Sequence, residues 1–117
     1  MSSGPNRAAA WTGDRWEVSP DDVRSALDDL VLVDCRTDQE RGIACIEPSR
    51  HVPLDAFLDS MEDLVNTDRP IVVYCHHGQR SMMATNALRS AGKADAWSMH
   101  GGIDRWSCEI APEIPRY

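Results

Sequence analysis

Within seven residues, Cys75-His76-His77-Gly78-Gln79-Arg80-Ser81 gathers a thiol, two imidazoles, a guanidinium and a hydroxyl. The chemistry that suits this set is attack by sulfur. A thiolate, not a thiol, is the nucleophile, and a cysteine pKa near 8.5 falls to roughly 3.5–7.5 beside cations or at a helix N-terminus. Arg80 supplies a permanent cation, and Gly78 supplies the freedom for positive φ that a tight cradle requires. His76 and His77 offer hydrogen bonds or further positive charge, and Ser81 a hydroxyl able to cap a helix. Two plainer readings stand beside this one. Cys75 could be a buried structural thiol, or Cys75, His76 and His77 could ligate a metal. Adjacent residues rarely converge on one ion, and no second pair at zinc-site spacing follows, so no metal site is expected.

Reactivity depends on what carries the loop. Ile71-Val72-Val73-Tyr74 is a continuous run of β-formers, as expected for a strand covered on both faces. Residues 80–91 place Met83, Ala84, Ala87, Leu88 and Ala91 on one helical face, with Gly92 as C-terminal cap. The loop therefore joins a strand end to a helix start, where backbone N–H groups and the helix dipole favour an anion. Val31-Leu32-Val33 reads as a second buried strand, ending at Asp34. A helix capped by Ser19 and opened by Pro20 precedes it, with Val23, Ala26, Leu27 and Leu30 at helical spacing. A further helix is expected from Pro53, with Leu54, Phe57, Leu58, Met61 and Val65 on its apolar face. Residues 34–52 read as a loop with one short helical turn at 38–41. Ala96–Met99 reads as a short strand, and residues 101–106 as a turn leading into a short helix. Alternating strands and helices predict an α/β sheet covered on both sides, with ligands bound beyond the strand C-termini.

The 117 residues carry 12 basic against 19 acidic side chains, a net charge of −7. That balance argues against general nucleic-acid or anionic-membrane binding. No apolar run approaches the roughly 20 residues of a membrane helix, so a cytoplasmic setting is expected. Residues 1–13 lack an apolar periodicity and read as a flexible tail preceding one domain over 14–117. Cys35, Cys45, Cys75 and Cys108 are too sparse for a disulfide framework. Cys35 reads as core filler and Cys108 as packed or exposed. Cys45 reads as a free thiol, with a resolving role toward Cys75 as the alternative.

Three segments in order give the chain a family resemblance. They are Val31-Leu32-Val33-Asp34-Cys35-Arg36, Ile71-Val72-Val73-Tyr74-Cys75 with its loop, and His100-Gly101-Gly102-Ile103-Asp104-Arg105-Trp106. Together they resemble the single-domain rhodaneses, sulfurtransferases that pass sulfane sulfur through a cysteine persulfide. The resemblance implies a central, mostly parallel sheet of about five strands flanked by helices on both faces. It also implies Cys75 as the nucleophile and residues 76–81 (His76, His77, Gly78, Gln79, Arg80, Ser81) as the substrate cradle. Asp34 and Arg36 are implied as supports, with Arg36 spaced to pair with Glu40. No cofactor is called for. The implied partners are a small sulfur donor such as thiosulfate and a thiol or protein sulfur acceptor, while oligomeric state is left open. Related dual-specificity phosphatases carry Cys-x5-Arg, whereas Cys75 to Arg80 is Cys-x4-Arg, a tighter cradle that favours sulfur over phosphate. Arg41 and Pro48 depart from the family pattern along the cleft wall. They keep a non-catalytic binding or regulatory module as the alternative function.

Overall fold

A computed structural model describes residues 6–12 and 14–117 of the chain. Five strands form one sheet: β1 (Glu17–Val18), β2 (Val31–Asp34), β3 (Arg50–His51), β4 (Ile71–Tyr74) and β5 (Ala96–Met99). Their order is β1-β5-β4-β2-β3, and every pairing is parallel. The two apolar runs seen in the sequence, β2 and β4, are therefore neighbours, in the register Val31↔Ile71 through Asp34↔Tyr74.

Alternation along the strands builds a core on each face of the sheet. Leu32, Val72, Tyr74, Trp97 and Met99 pack with Val23 and Ala26 of α1 (Pro20–Ala26) and with Ile103 and Trp106 of α5 (Gly102–Glu109). Val33, Cys35, Ile71, Val73, Cys75 and Ala96 face the opposite way. They pack with Leu64 of α3 (Met61–Val65) and with Ala84 and Leu88 of α4 (Gln79–Ser90). Trp97 and Trp106 are core residues, 3% and 5% exposed.

Local chemistry sets most element ends. Ser19 accepts from the Asp22 N–H while Asp22 returns a bond to the Ser19 N–H, and Thr37 and Glu40 repeat this box at α2 (Asp38–Ile43). Gly92, at φ 108°, closes α4, with the Lys93 N–H donating to the Leu88 carbonyl at 2.9 Å.

Three expectations change. The helix expected from Pro53 divides into a 3-10 turn (Leu54–Ala56) and α3, leaving Leu58 81% exposed. Asp59 and Ser60, which compete for backbone hydrogen bonds, stand at the break. Met83 faces solvent, and the buried stripe of α4 is Ser81, Ala84, Thr85 and Leu88. The expected tail is not loose over residues 6–12. Asn6 caps a 3-10 turn (Arg7–Ala10) and donates to the Asp29 carbonyl at 2.7 Å, Ala8 is buried, and Trp11 meets Trp97 edge to face. Residues 1–5 and 13 of that tail lie outside the described residues.

Candidate active site

Cys75 follows the last residue of β4 and is 1% exposed. Its Sγ receives the Gly78 N–H at 3.1 Å and the Ser81 N–H at 3.4 Å, and Ser81 Oγ lies 3.4 Å away. Gly78 makes this turn possible at φ 111°, a region that side chains other than glycine rarely enter. The loop is also held from behind. The Cys75 and His76 carbonyls accept from the Ile103 and Asp104 N–H groups at the start of α5, at 2.9 and 3.2 Å. With those carbonyls engaged outward, the following amides are left to face the sulfur. Gly102 (φ 62°) allows this approach, because a Cβ there would collide with both carbonyls.

A second sulfur stands beside the first. The Cys35 N–H donates to the Tyr74 carbonyl at 3.1 Å, extending the β2–β4 ladder by one residue and setting Cys35 opposite Cys75 on the same face of the sheet. The Cys35 thiol donates to the Tyr74 carbonyl at 3.5 Å, and its position beside Cys75 is the largest influence lowering the Cys75 pKa. With the Ser81 hydroxyl and the Ser81 and Gly78 amides, it brings that pKa to about 4 in spite of burial. The same proximity, with burial and the Cys75 charge, pushes the Cys35 thiol far up. Ser98 of β5, fully buried, sits 2.7 Å from Ser81 Oγ. The Ser81 hydroxyl also has the Gly78 carbonyl at 3.1 Å as an acceptor, so it stands between that carbonyl, Ser98 and the sulfur.

The remaining loop residues do other things. Arg80 forks onto the Glu40 carboxylate at 2.6 and 2.9 Å, so its charge is matched by an acid and not held for the thiolate alone. Arg80, with the Tyr117 hydroxyl at 2.8 Å, holds Glu40 well below the usual carboxylate range. Glu40 is therefore the partner of Arg80, whereas Arg36 reaches only its backbone carbonyl, at 3.4 Å. His76 stacks on Tyr117, with ring centroids 3.9 Å apart, and its buried Nε2 has no hydrogen-bond partner. His77 lies toward Asp104, with Nδ1 at 4.0 Å, and Gln79 is exposed. Ser81 falls in the first turn of α4, where Gly78 and not Ser81 holds the cap position, and its hydroxyl reaches the Gly78 carbonyl and the sulfur.

Asp34 and Arg36 form a separate, fully buried cluster. Arg36 donates Nε and Nη2 to the two Asp34 oxygens at 2.9 and 2.8 Å, and Arg41 adds a third cationic contact at 3.0 Å. Burial pushes the Asp34 carboxyl up, but the Arg36 and Arg41 hydrogen bonds bring it net below its ordinary pKa. Arg36 also donates to the Ala44 carbonyl at 2.6 Å, and Arg41 to the Ser49 carbonyl at 3.0 Å, tying the 44–49 loop to β2. Arg41, outside the expected pattern, is thus part of this cluster. A cavity of about 610 Å³ opens nearby, lined by Cys35, Thr37, Asp38, Pro53, Leu54 and Arg80 among others. Among the described residues no helix is long and apolar enough to cross a membrane.

A five-stranded parallel sheet with helices on both faces, and a buried cysteine ringed by amides where its central strand meets a helix, defines a class of α/β protein organised around one thiolate. The chain belongs to the rhodanese family: the model for the rhodanese-like domain matches residues 19–109. It is 30% identical over 90 residues to the thiosulfate sulfurtransferase GlpE of Pseudomonas aeruginosa, covering 76% of this chain and 81% of that one. It is 33% identical over 105 residues to the probable adenylyltransferase/sulfurtransferase MoeZ of Mycobacterium tuberculosis, where 86% of this chain spans 26% of the relative's length. The fold is shared with the human single-domain sulfurtransferase TSTD1, with a TM-score of 0.70 and 23% identity over 80% of this chain and 96% of that one.

Sequence reasoning missed Cys35, Glu40, Ser98 and Tyr117 as neighbours of the loop. Only Cys35 left a signal: β2 and β4 are runs of equal length, each followed by a cysteine, and parallel pairing aligns their ends.

Proposed function

We propose that the chain is a sulfurtransferase that carries sulfane sulfur as a persulfide on Cys75. The observation that carries this reading is the buried Cys75 sulfur faced by the Gly78 and Ser81 N–H groups at 3.1 and 3.4 Å, a setting that lowers its pKa. The relative named thiosulfate sulfurtransferase supports it. Thiosulfate is the proposed donor: the Cys75 thiolate attacks its outer sulfur, the S–S bond breaks, and sulfite leaves with the bonding pair. The loop amides then hold the terminal sulfur until a thiol or protein acceptor attacks it. Because Arg80 is engaged by Glu40, donor binding rests on the Gly78 and Ser81 amides first and on the guanidinium second. His76, His77 and Gln79 frame the rim. Asp34 and Arg36 act through the 44–49 loop as supports. A cytoplasmic setting, where thiols stay reduced, suits the four free cysteines.

Thiosulfate treatment followed by intact-mass measurement tests this. The chain is expected to gain one sulfur atom on Cys75, to lose it to cyanide, and to gain none there as Cys75→Ser. Failure to load, with Cys75 alkylated as slowly at neutral pH as an ordinary thiol, would instead favour a non-catalytic binding module.

A further inference from the structure

Cys35 is a nucleophilic side chain that the transfer reaction leaves unused although strand register sets it beside Cys75. Three independent features single it out. The β2–β4 ladder runs on to the Cys35 N–H bond with the Tyr74 carbonyl at 3.1 Å, so Cys35 and Cys75 are direct neighbours across a parallel pair. Adjacent strands lie about 4.7–4.9 Å apart, inside the roughly 4.4–6.8 Å between Cα atoms that a disulfide spans. Both side chains point to the same face of the sheet. Finally, Cys35 and Arg80 line the cavity that opens beside the loop.

We propose that Cys35 is an internal resolving nucleophile: when no acceptor arrives, it attacks the inner sulfur of the Cys75 persulfide, forms a Cys35–Cys75 disulfide and releases the outer sulfur as sulfide. The inference rests on the persulfide reading above. The step balances without an added oxidant. The Cys35 sulfur bonds to Cys75 Sγ, the bond from Sγ to the outer sulfur breaks, and the outer sulfur leaves with the electron pair and takes up the Cys35 proton. Cys35 is oxidised and the outer sulfur is reduced. Sulfide is a good leaving group because its conjugate acid has a low pKa for a thiol, and the Gly78 and Ser81 amides stand ready for its charge. The state of Cys75 also governs when Cys35 reacts. While Cys75 is a thiolate, its neighbouring charge, with burial, holds Cys35 protonated and inert. Once a second sulfur is attached, the charge on Sγ is gone and that restraint is relieved. A dithiol reductant reopens the site by thiol–disulfide exchange. Sulfur left unclaimed would thus leave as sulfide, and the nucleophile would be closed until reduced.

The test loads the whole chain with thiosulfate and, in a parallel sample, with inorganic polysulfide. It then removes excess donor and follows intact mass, non-reduced peptide maps and free sulfide with no acceptor present. The expected course is loss of the Cys75 persulfide, appearance of a chain two hydrogens lighter than the starting protein, a linked Cys35–Cys75 peptide, and one equivalent of sulfide. Dithiothreitol should restore both thiols. Cys35→Ser, which keeps a hydroxyl beside Cys75, is expected to load, hold its persulfide and lose the sulfide release; if the serine variant does not fold, Cys35→Ala serves, with sulfide release and persulfide lifetime counted per loaded chain, because loading itself is expected to slow. Persulfide that persists in the wild-type chain, decays equally in Cys35→Ser, or yields a disulfide to Cys45 or Cys108 would overturn the inference and leave the transfer reading intact. Sulfur found on Cys35 as a persulfide would overturn it as well. Loading of Cys75 by neither donor would remove both.

Discussion

Two strand ends lie side by side at the C-terminal edge of the sheet, and they hold negative charge in opposite ways. At the end of β2, the Asp34 carboxylate is fully buried and matched by two guanidinium groups, Arg36 and Arg41, at 2.8–3.0 Å. At the end of β4, one residue further on, the Cys75 sulfur has N–H groups, a hydroxyl and a neighbouring thiol around it, and the nearby guanidinium of Arg80 is taken by Glu40. An anion neutralised by fixed cations is a structural joint, because separating the partners leaves a buried charge. An anion held only by dipoles keeps its lone pairs available. On the proposed function, the comparison explains how two anionic groups, one residue apart in strand register, divide into support and reagent.

Mutations can break or sharpen this contrast. The largest effect on stability belongs to Asp34→Ala, which leaves Arg36 buried and unpaired. Urea unfolding at pH 7 should show a loss of about 3–5 kcal/mol, while the molecules that remain folded still alkylate Cys75 readily. Loss of thiol reactivity in step with that of stability would show that the two ends are not separate devices. Ser81→Ala touches the other end. Removing a donor worth about 1 kcal/mol should raise the Cys75 titration midpoint by roughly one unit, with a similar or smaller change in stability. An unmoved midpoint would exclude the hydroxyl from charge stabilisation. Glu40→Gln is the mildest, because the pair it breaks is partly exposed; about 1 kcal/mol or less is expected. Its sign follows from the depressed Glu40 pKa. The stability that ionised Glu40 contributes is present above about pH 4.3, its unfolded value, and is lost as pH falls toward the folded one. The gap between variant and wild type should therefore close in acid, and a gap that widened there would contradict the assignment.

How much of this was legible beforehand follows physical range. The strands at 31–34 and 71–74 were readable because burial on both faces demands continuous apolar runs, and the Cys75 loop because its chemistry is contiguous in sequence. The Cys35–Cys75 contact depends on register between strands 40 residues apart, and the Glu40–Arg80–Tyr117 linkage on three separate segments, so neither has a local signature. Periodicity alone overextended the helix after Pro53, since it weighed Leu58 and ignored Asp59 and Ser60. Residues 6–12 looked loose because their order comes from tertiary partners, Asp29 and Trp97, and not from an apolar stripe of their own.

The central claim, a sulfur kept anionic by its surroundings, is tested most directly by the rate of Cys75 alkylation with iodoacetamide as a function of pH, followed by peptide mapping to separate Cys45 and Cys108. The account predicts a rate that is flat through neutrality and falls to half its plateau near pH 4. A rate that instead climbs through a midpoint at about 8.5, the value of an unperturbed thiol, would contradict it.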